Sequence, residues 1–371
     1  MKNLITNISL FTGLLISSWS FAQIDSTWKA KPTLSFTGFA DVYYAYDFNQ
    51  PETNYRLPLL FNHNRHNEIN INLALAKIAV NHDKYRANLA FQSGTYAYDN
   101  YIAEPGVFRN IYEANIGLSL NKKNNLWIDV GIMPSHLGFE SAISIENWTL
   151  TRSLAAENSP YFSTGAKLTY SPSEKLELAG IVMNGWQRIE RVEDNSLLSF
   201  GTQAIYQPNQ NILFNWSTYI GTDDPDTTRR MRYFSNLFGQ FQITPKMGLL
   251  AGFDVGWQQV AKDSNDYNMW YCPTLIVQYQ VSDKWATAIR GEYYHDESGV
   301  IVPTQTPNGF KTSGISMNVD YKPTPFIACR VEGRWFNSED PVFETPKGDA
   351  FNNIFVCGSI SILLSKNGVK L

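Results

Sequence analysis

Long apolar runs, charged side chains and cysteines are all scarce in this sequence. Charged residues make up 17% of the 371 residues, against about 25% in a typical soluble domain. Beyond the N-terminal segment no run of about eighteen apolar residues occurs, so the sequence predicts no transmembrane helix. Cys272, Cys329 and Cys357 lie in predicted strands, and strand alternation puts Cys329 and Cys357 on opposite faces. We therefore expect free, packed thiols rather than a disulfide framework.

The charge balance argues against one class of partner. Thirty Lys and Arg residues against 34 Asp and Glu residues give a net charge of −4 and a pI of about 5.8. Nucleic-acid-binding domains carry a strongly basic surface, and this composition provides none. We therefore expect no nucleic-acid partner.

The first 22 residues have the organisation of a secretory signal peptide. Lys2 supplies a positive start, residues 4–16 form a short apolar stretch, and the segment ends in small residues at Ala22. Such a segment is too short to span a bilayer and is cleaved on export. We expect an exported mature chain, residues 23–371, that forms a single domain. The residue directly after Ala22 is glutamine and not cysteine, which argues against a lipoprotein anchor.

The chain is rich in aromatic residues, at 14%, and in segments of about ten residues in which apolar and polar side chains alternate. Between Leu34 and Asp47, apolar residues occupy one face and Asp41 lies on the other. Residues 285–294 and 326–336 repeat the pattern with Arg and Glu on the polar face, whereas the alternation is weaker over residues 231–243. Strands of a soluble sandwich are usually shorter, about five to six residues. Strand length therefore favours a membrane protein.

Short turn-forming segments and long polar loops alternate along the chain. The turns are rich in Asn, Asp, Ser, Pro and Lys, and they lie roughly forty residues apart, enough for two membrane-crossing strands and one loop. The seven turns are residues 81–84, 121–125, 171–175, 208–211, 244–246, 281–284 and 322–325. The eight loops are residues 48–67, 97–110, 134–160, 185–196, 222–230, 259–267, 295–311 and 337–351. This pattern predicts an all-β fold, a closed antiparallel transmembrane β-barrel of about sixteen strands with short periplasmic turns and long extracellular loops.

A barrel of this size encloses an aqueous lumen, so polar residues on the inner face are candidates for the pore wall. The candidate wall residues are Asp41, Arg86, Glu113, Asp129, Lys167, Asp254, Arg290, Glu292, Asp320, Arg330, Glu332 and Arg334. Acids outnumber bases in this set, which predicts a weak preference for cations.

The longest loop, residues 134–160 and hereafter the third loop, is the main candidate for a constriction. Its mixture of apolar and charged residues predicts an ordered segment rather than a solvated coil. Such a loop can fold inward and narrow the lumen. Its candidate residues are His136, Glu140, Glu146, Trp148, Arg152 and Glu157.

Two arrangements are open for the wall residues Arg290, Arg330 and Arg334. If acids of the third loop face these arginines, a transverse field crosses the narrow point and sorts solutes by charge. Alternatively, the arginines pair with acids of the wall itself. The loop acids are Glu140, Glu146 and Glu157, and the wall acids are Glu292, Asp320 and Glu332.

Three short motifs suggest other chemistry, each weakly. His63 and His66 are spaced to share a metal, but no carboxylate or cysteine cluster completes a ligand set. The run Asp223–Asp226 offers oxygen atoms to calcium but lacks the spacing of a dedicated loop, so a solvated loop tip is expected. The pair Ser135-His136 lacks a third catalytic member and a nucleophile elbow. We expect no metal, no cofactor and no enzymatic activity.

Several stretches of the chain resemble a known family. They are Gly38–Pro51 (GFADVYYAYDFNQP), Pro134–Ser141 (PSHLGFES), Glu146–Ser153 (ENWTLTRS) and Asn184–Gln187 (NGWQ). These strings look like those of the OmpL-like β-barrel porins of Gram-negative outer membranes, and the similarity covers essentially the whole mature chain. The resemblance implies an outer-membrane channel, with membrane lipids, small hydrophilic solutes or ions, and the barrel assembly machinery as partners. Many porins are trimers, so the sequence leaves open whether this chain forms a homo-oligomer.

The sequence thus predicts an outer-membrane porin through which ions and small hydrophilic solutes diffuse passively, narrowed by the third loop. A rival from a different class is a barrel that the loop closes and that acts in adhesion or complex assembly. Deleting residues 140–157 distinguishes them, because a narrowed channel gains conductance and a closed barrel changes from silent to open. A soluble secreted β protein is a second rival, and it would be recovered without detergent.

Overall fold

Sixteen strands form one closed antiparallel barrel in the described part of the chain, which confirms the predicted fold class. The computed structural model describes residue 28 and residues 30–56 and 60–370, with side chains described to residue 365. Each strand pairs with its neighbours in sequence, and β1 (Thr33–Asp47) pairs with β16 (Asn352–Lys370) to close the sheet. The predicted signal peptide, residues 1–22, lies outside the described residues.

The other strands are β2 (Ile69–Asn81), β3 (Tyr85–Ser93), β4 (Ile111–Ser119), β5 (Leu126–Pro134), β6 (Phe162–Ser173), β7 (Leu176–Met183), β8 (Ser199–Asn209), β9 (Ile212–Gly221), β10 (Arg232–Thr244), β11 (Met247–Gln259), β12 (Tyr267–Gln280), β13 (Trp285–Asp296), β14 (Phe310–Thr324) and β15 (Ile327–Ser338). Helical segments in the loops are α1 (Thr95–Asn100), α2 (Leu154–Glu157) and 3₁₀ turns at Phe108–Asn110 and Ser144–Glu146. Over the described residues, no helix has the length and apolar character needed to cross a membrane.

Strand β13 shows how the sequence determines which side chains face outward. Ile289 is 52% exposed on the outer surface, whereas its neighbour Arg290 is fully buried inside the barrel. Successive side chains of a strand point to opposite faces, so one apolar and one ionisable series arise from simple alternation. An outward apolar series facing lipid and an inward polar series are the arrangement of an outer-membrane barrel.

Asparagine residues shape one of the short turns. In the turn between β4 and β5, Asn124 has a φ of 56°, a left-handed conformation that asparagine tolerates better than most residues. Nδ2 of Asn121 donates a hydrogen bond of 2.6 Å to Oδ1 of Asn125 across the same turn. Nζ of Lys84, in the preceding turn, donates to the carbonyl oxygen of Asn121. Side chains and backbone conformation together stabilise the turn between β4 and β5.

The interior also contains an apolar cluster, which the alternation alone did not predict. Phe234, in the weakly alternating strand β10, points inward and stacks on Trp270 of β12 with ring centroids 6.1 Å apart. Leu150 and Leu154 of the third loop belong to the same cluster and are fully buried. Aromatic residues on the inner wall therefore provide the surface against which a loop packs inside the barrel.

Candidate functional site

The third loop lies inside the barrel and is held there through its main chain. Nη1 of Arg330 donates to the carbonyl oxygen of Ser144 at 2.6 Å, and Nη1 of Arg290 donates to that of Thr151 at 2.7 Å. Nη1 of Arg334 donates to the carbonyl oxygen of Arg152 at 2.8 Å. Three arginines on the wall therefore bind neutral backbone acceptors of the loop.

The same arginines pair with acids of the wall. Nη2 of Arg290 lies 2.7 Å from Oε1 of Glu332, and Nε of Arg330 lies 2.7 Å from Oδ1 of Asp320. Arg334 pairs in the same way with Glu292. Each guanidinium has five donors, enough to serve a carboxylate and the loop together.

One loop acid also approaches these arginines, since Oε1 of Glu140 lies 3.9 Å from Nη1 of Arg290, so the transverse field stays a prediction. Arg290, Arg330 and Arg334 are at most 2% exposed, and wall acids already compensate their charges. A charge that is paired and removed from water exerts little field on a passing solute. The second arrangement, in which the arginines pair with acids of the wall, is present for all three arginines.

Wall acids also bind the loop backbone. Oε2 of Glu332 accepts a hydrogen bond of 2.6 Å from the amide of Thr151, and Oε2 of Glu292 accepts one of 2.7 Å from the amide of Leu154. Leu154 begins helix α2, whose first amides have no partner within the helix. The wall therefore supplies both donors and acceptors to the loop.

Glycines of β11 make room for two aromatic side chains of the loop. A Cβ atom at Gly252 would lie 2.5 Å from the ring of Phe139, and one at Gly248 would lie 2.7 Å from the ring of Trp148. Both rings pack against a small apolar cluster that includes Leu250. Glycine at two inward positions of β11 thus leaves the space into which these two rings of the loop pack.

The three acids of the loop lie in different surroundings. Oε2 of Glu140 accepts a hydrogen bond of 2.8 Å from the amide of Ser153, and Glu146 is exposed. Oε2 of Glu157 accepts one of 2.8 Å from the amide of Phe61 in the first loop. Burial raises the pKa of Glu157, although Arg152 nearby opposes the shift. Glu157 therefore connects the first and third loops rather than facing the wall arginines.

His136 fixes the start of the third loop to strand β9. Its Nε2 atom lies 2.8 Å from the carbonyl oxygen of Thr218 on β9, and its own carbonyl oxygen accepts a hydrogen bond of 2.7 Å from Oγ of Ser217. Burial lowers the pKa of His136 to about 4. The imidazole is therefore neutral near pH 7, and it does not activate the adjacent Ser135, whose Oγ accepts from the amide of Leu137.

The remaining candidate wall residues also point into the barrel, and most of their acids have a partner. Lys77 pairs with Glu113, and Arg86 pairs with Asp129. The other inward contacts are Asp41 with His63 at 2.8 Å, Asp254 with Asn236 at 2.5 Å and Lys167 with Gln203 at 3.4 Å. Glu113 and Asp129 are thus paired with a base, while the partner of Asp254 is a neutral amide, so the weak cation preference stays a prediction.

The motifs considered for metals have other partners. Nε2 of His63 contacts Asp41, and Nδ1 of His66 accepts from the amide of Asp47. Arginines from the same and neighbouring loops pair with the carboxylates of Asp223, Asp224 and Asp226. Among the described residues, no group of three or more His, Cys, Asp or Glu side chains is placed to hold a metal ion.

Two cavities lie on either side of the third loop. The lower cavity, of about 350 Å³, reaches toward the short-turn end of the barrel and is lined by Leu213 and Gln240 of the wall and by Arg152 and Tyr161. The upper cavity, of about 260 Å³, lies among the long loops. Ser159 lines both cavities. Ser159 and Tyr161 were not among the predicted site residues, because nothing in their local sequence distinguishes them from other loop residues.

A comparison with protein families identifies the chain. A family model described as "Putative beta-barrel porin-2, OmpL-like" matches residues 33–364. The chain belongs to this OmpL-like porin family. It is an outer-membrane β-barrel porin, as the resemblance implied. No curated protein matches the sequence.

Solved porin structures share this fold. The anion-selective porin from Comamonas acidovorans is 9% identical, with a TM-score of 0.61 over 90% of this chain and 100% of that chain. The outer membrane channel DcaP of Acinetobacter baumannii is 10% identical, with a TM-score of 0.58 over 90% and 98%. OmpT of Vibrio cholerae, in its trimer form, is 8% identical, with a TM-score of 0.58 over 90% and 100%. At these identities the similarity concerns the fold alone.

Proposed function

We propose that this porin is a narrow passive-diffusion channel for ions and small hydrophilic solutes, with the third loop defining its narrowest part. The observation that carries the proposal is that two cavities adjoin the third loop and share Ser159 in their linings. The loop fills one side of the lumen, against β11 to β15, and leaves open space toward β4, β9 and β10. Transport through such a path is downhill and needs no cofactor.

Within this proposal the predicted wall residues have two roles. Arg290, Arg330, Arg334 and their paired acids hold the third loop in place, whereas Arg86 and Lys167 are less buried and face the lumen. The loop residues divide similarly. His136, Glu140 and Trp148 fix the loop to the wall and to itself, while Arg152 and Glu157 border the cavities. Glu146 is exposed.

Deleting residues 140–157 tests the channel and its narrow point together. Purified protein in a planar bilayer should show small, stable single-channel currents in KCl, and the deletion should raise the conductance. A matched control removes residues 261–265 from the exposed loop between β11 and β12, which should leave the conductance unchanged. A wild type that is silent, and that opens only after the deletion, would instead favour a closed barrel acting in adhesion or complex assembly.

Partners and processing complete the proposal. Outward apolar residues such as Ile289 and Trp285 contact lipid, the barrel assembly machinery inserts the chain, and a homo-oligomer is a further expectation. We also propose that residues 1–22 are cleaved, that residues 23–371 act as one domain, and that the protein has no enzymatic activity. The intact mass of the protein from outer membranes tests the cleavage, and chemical cross-linking in membranes tests the oligomer.

A further inference from the structure

Arg152 is part of the third loop itself, unlike the wall arginines that hold this loop. It is 5% exposed, and its guanidinium lies over the ring of Tyr161 at 3.7 Å. Nη2 donates to the carbonyl oxygen of Glu140 at 3.0 Å. Its Nε and Nη1 atoms are buried and donate no hydrogen bond to any described residue. A buried guanidinium with unused donors is costly unless something accepts from them.

The lower cavity adjoins these donors. Arg152 lines it, together with Ser135, Ser141, Ser159 and other polar and apolar groups. A cavity of about 350 Å³ is within the range of small-molecule sites, roughly 300 to 1,000 Å³. The planar fork of a guanidinium matches the paired oxygens of a carboxylate or phosphate group. Serine hydroxyls at the edge of the cavity can donate further hydrogen bonds to such a group.

Nearby acids do not take up the free donors of Arg152. Glu140 is the other charged residue that lines the lower cavity, and its Oε2 atom accepts from the amide and the hydroxyl of Ser153. Its Oε1 atom lies 3.9 Å from Nη1 of Arg290. Glu157 lines the upper cavity and accepts from amides of the first loop. Arg152 is therefore the basic residue in the described lining of the lower cavity.

We propose that Arg152 is a binding residue for small anionic solutes that carry a carboxylate or phosphate group, and that the lower cavity holds them during passage. This inference rests on the channel function proposed above and names its solute class. It also reverses the weak cation preference expected from counting acids and bases. Most wall acids have a hydrogen-bond or ion-pair partner, whereas Nε and Nη1 of Arg152 have none among the described residues.

Inorganic phosphate is a suitable probe. Single-channel currents carried by KCl at pH 7 should fall as phosphate is added to the short-turn side, because bound phosphate obstructs the narrow part. In Arg152→Gln the KCl current should persist, while the half-blocking phosphate concentration rises by about tenfold or more, as expected for losing a charged hydrogen-bonding partner. A half-blocking concentration that does not change would overturn the inference.

Two further variants complete the test. Arg229→Gln removes a positive charge from an exposed loop, where Arg229 pairs with Asp226, and should not change the phosphate block. Arg152→Lys keeps the charge but loses the fork, and should weaken the block about threefold. If Arg152→Gln does not fold, as judged by heat-modifiable electrophoretic mobility, the lysine variant decides the question, and an unchanged block counts against the site.

Failure of this inference differs from failure of the channel proposal. A wild type that carries no KCl current contradicts the channel. A wild type that conducts KCl, prefers cations in a salt gradient and ignores phosphate contradicts the anion site alone.

Discussion

Nη2 of Arg290 on β13 donates a hydrogen bond of 2.7 Å to Oε1 of Glu332 on β15, across the intervening strand β14, and both side chains are inaccessible to solvent. The two groups also bind the same loop residue, since Arg290 donates to the carbonyl oxygen of Thr151 and Glu332 accepts from its amide. A wall ion pair therefore binds both main-chain groups of one residue in the third loop. This pair is therefore one of the attachments that hold the loop against the wall.

Replacing Arg290 with methionine should release the third loop. Glu332 would be left buried without its partner, and breaking a buried pair costs about 3–5 kcal/mol. We expect protease cleavage within residues 140–157 and a larger, noisier single-channel current. Arg230→Gln, which breaks a more exposed pair with Asp224, is the control. An Arg290→Met channel with wild-type conductance and protease resistance would show that the pair does not hold the loop.

Gly252→Leu should displace the loop from the β11 wall. The new side chain would occupy the space of the Phe139 ring, and overpacking of this kind costs about 1–3 kcal/mol. We expect altered conductance with an intact barrel. Gly291→Leu, on the outer face of β13, is the control for the size of the side chain, because a Cβ atom there meets nothing within 4 Å. Equal effects of the two substitutions on conductance would contradict the packing role of Gly252.

Arginine on the outer face of β13 should destabilise the barrel according to its depth in the bilayer. Ile289→Arg, near the middle of the strand, should lower the free energy of unfolding in lipid vesicles by about 2–4 kcal/mol, and Trp285→Arg, at the turn end, by about 0–1 kcal/mol. Urea titrations followed by tryptophan fluorescence measure both. A larger loss at position 285 than at 289 would mean that the apolar band is misplaced.

Acidification should loosen the start of the third loop. The pKa of buried His136 is about 4, below the value of about 6.5 for an exposed histidine. As the pH falls, His136 is protonated at a higher pH in a released loop than in the docked loop. The contribution of His136 to docking is therefore fully present above pH 6.5 and is lost as the pH decreases toward 4. Lys167 opposes protonation further, whereas Glu157, with its raised pKa, has the opposite dependence.

The variant His136→Gln isolates the contribution of the imidazole. Glutamine keeps a donor for the carbonyl oxygen of Thr218 but does not titrate. Protease cleavage of the loop, measured from pH 7 to pH 4, should rise in the wild type and stay flatter in the variant. Parallel curves would assign the pH dependence to other groups.

Alternation and turn chemistry were sufficient to predict the barrel, because both are local. Ile289 and Arg290 must face opposite ways whatever the rest of the chain does, and the Asn-rich turns mark the strand ends. The contacts of the third loop could be predicted from the sequence only in part. Whether Glu140 faces a wall arginine or its own loop depends on contacts between residues far apart in the chain, and a count of charges does not show which are compensated. Phe234 departs from the polar inner face because it belongs to an apolar cluster inside the barrel and stacks on Trp270.

The arginines of the wall contact the third loop through peptide carbonyl oxygens, which every amino acid possesses. The bonds to the carbonyl oxygens of Ser144 and Arg152 therefore do not depend on which side chains stand at these two positions. A substitution at Arg152 therefore changes the lining of the lower cavity while the main-chain bond between this position and Arg334 is kept.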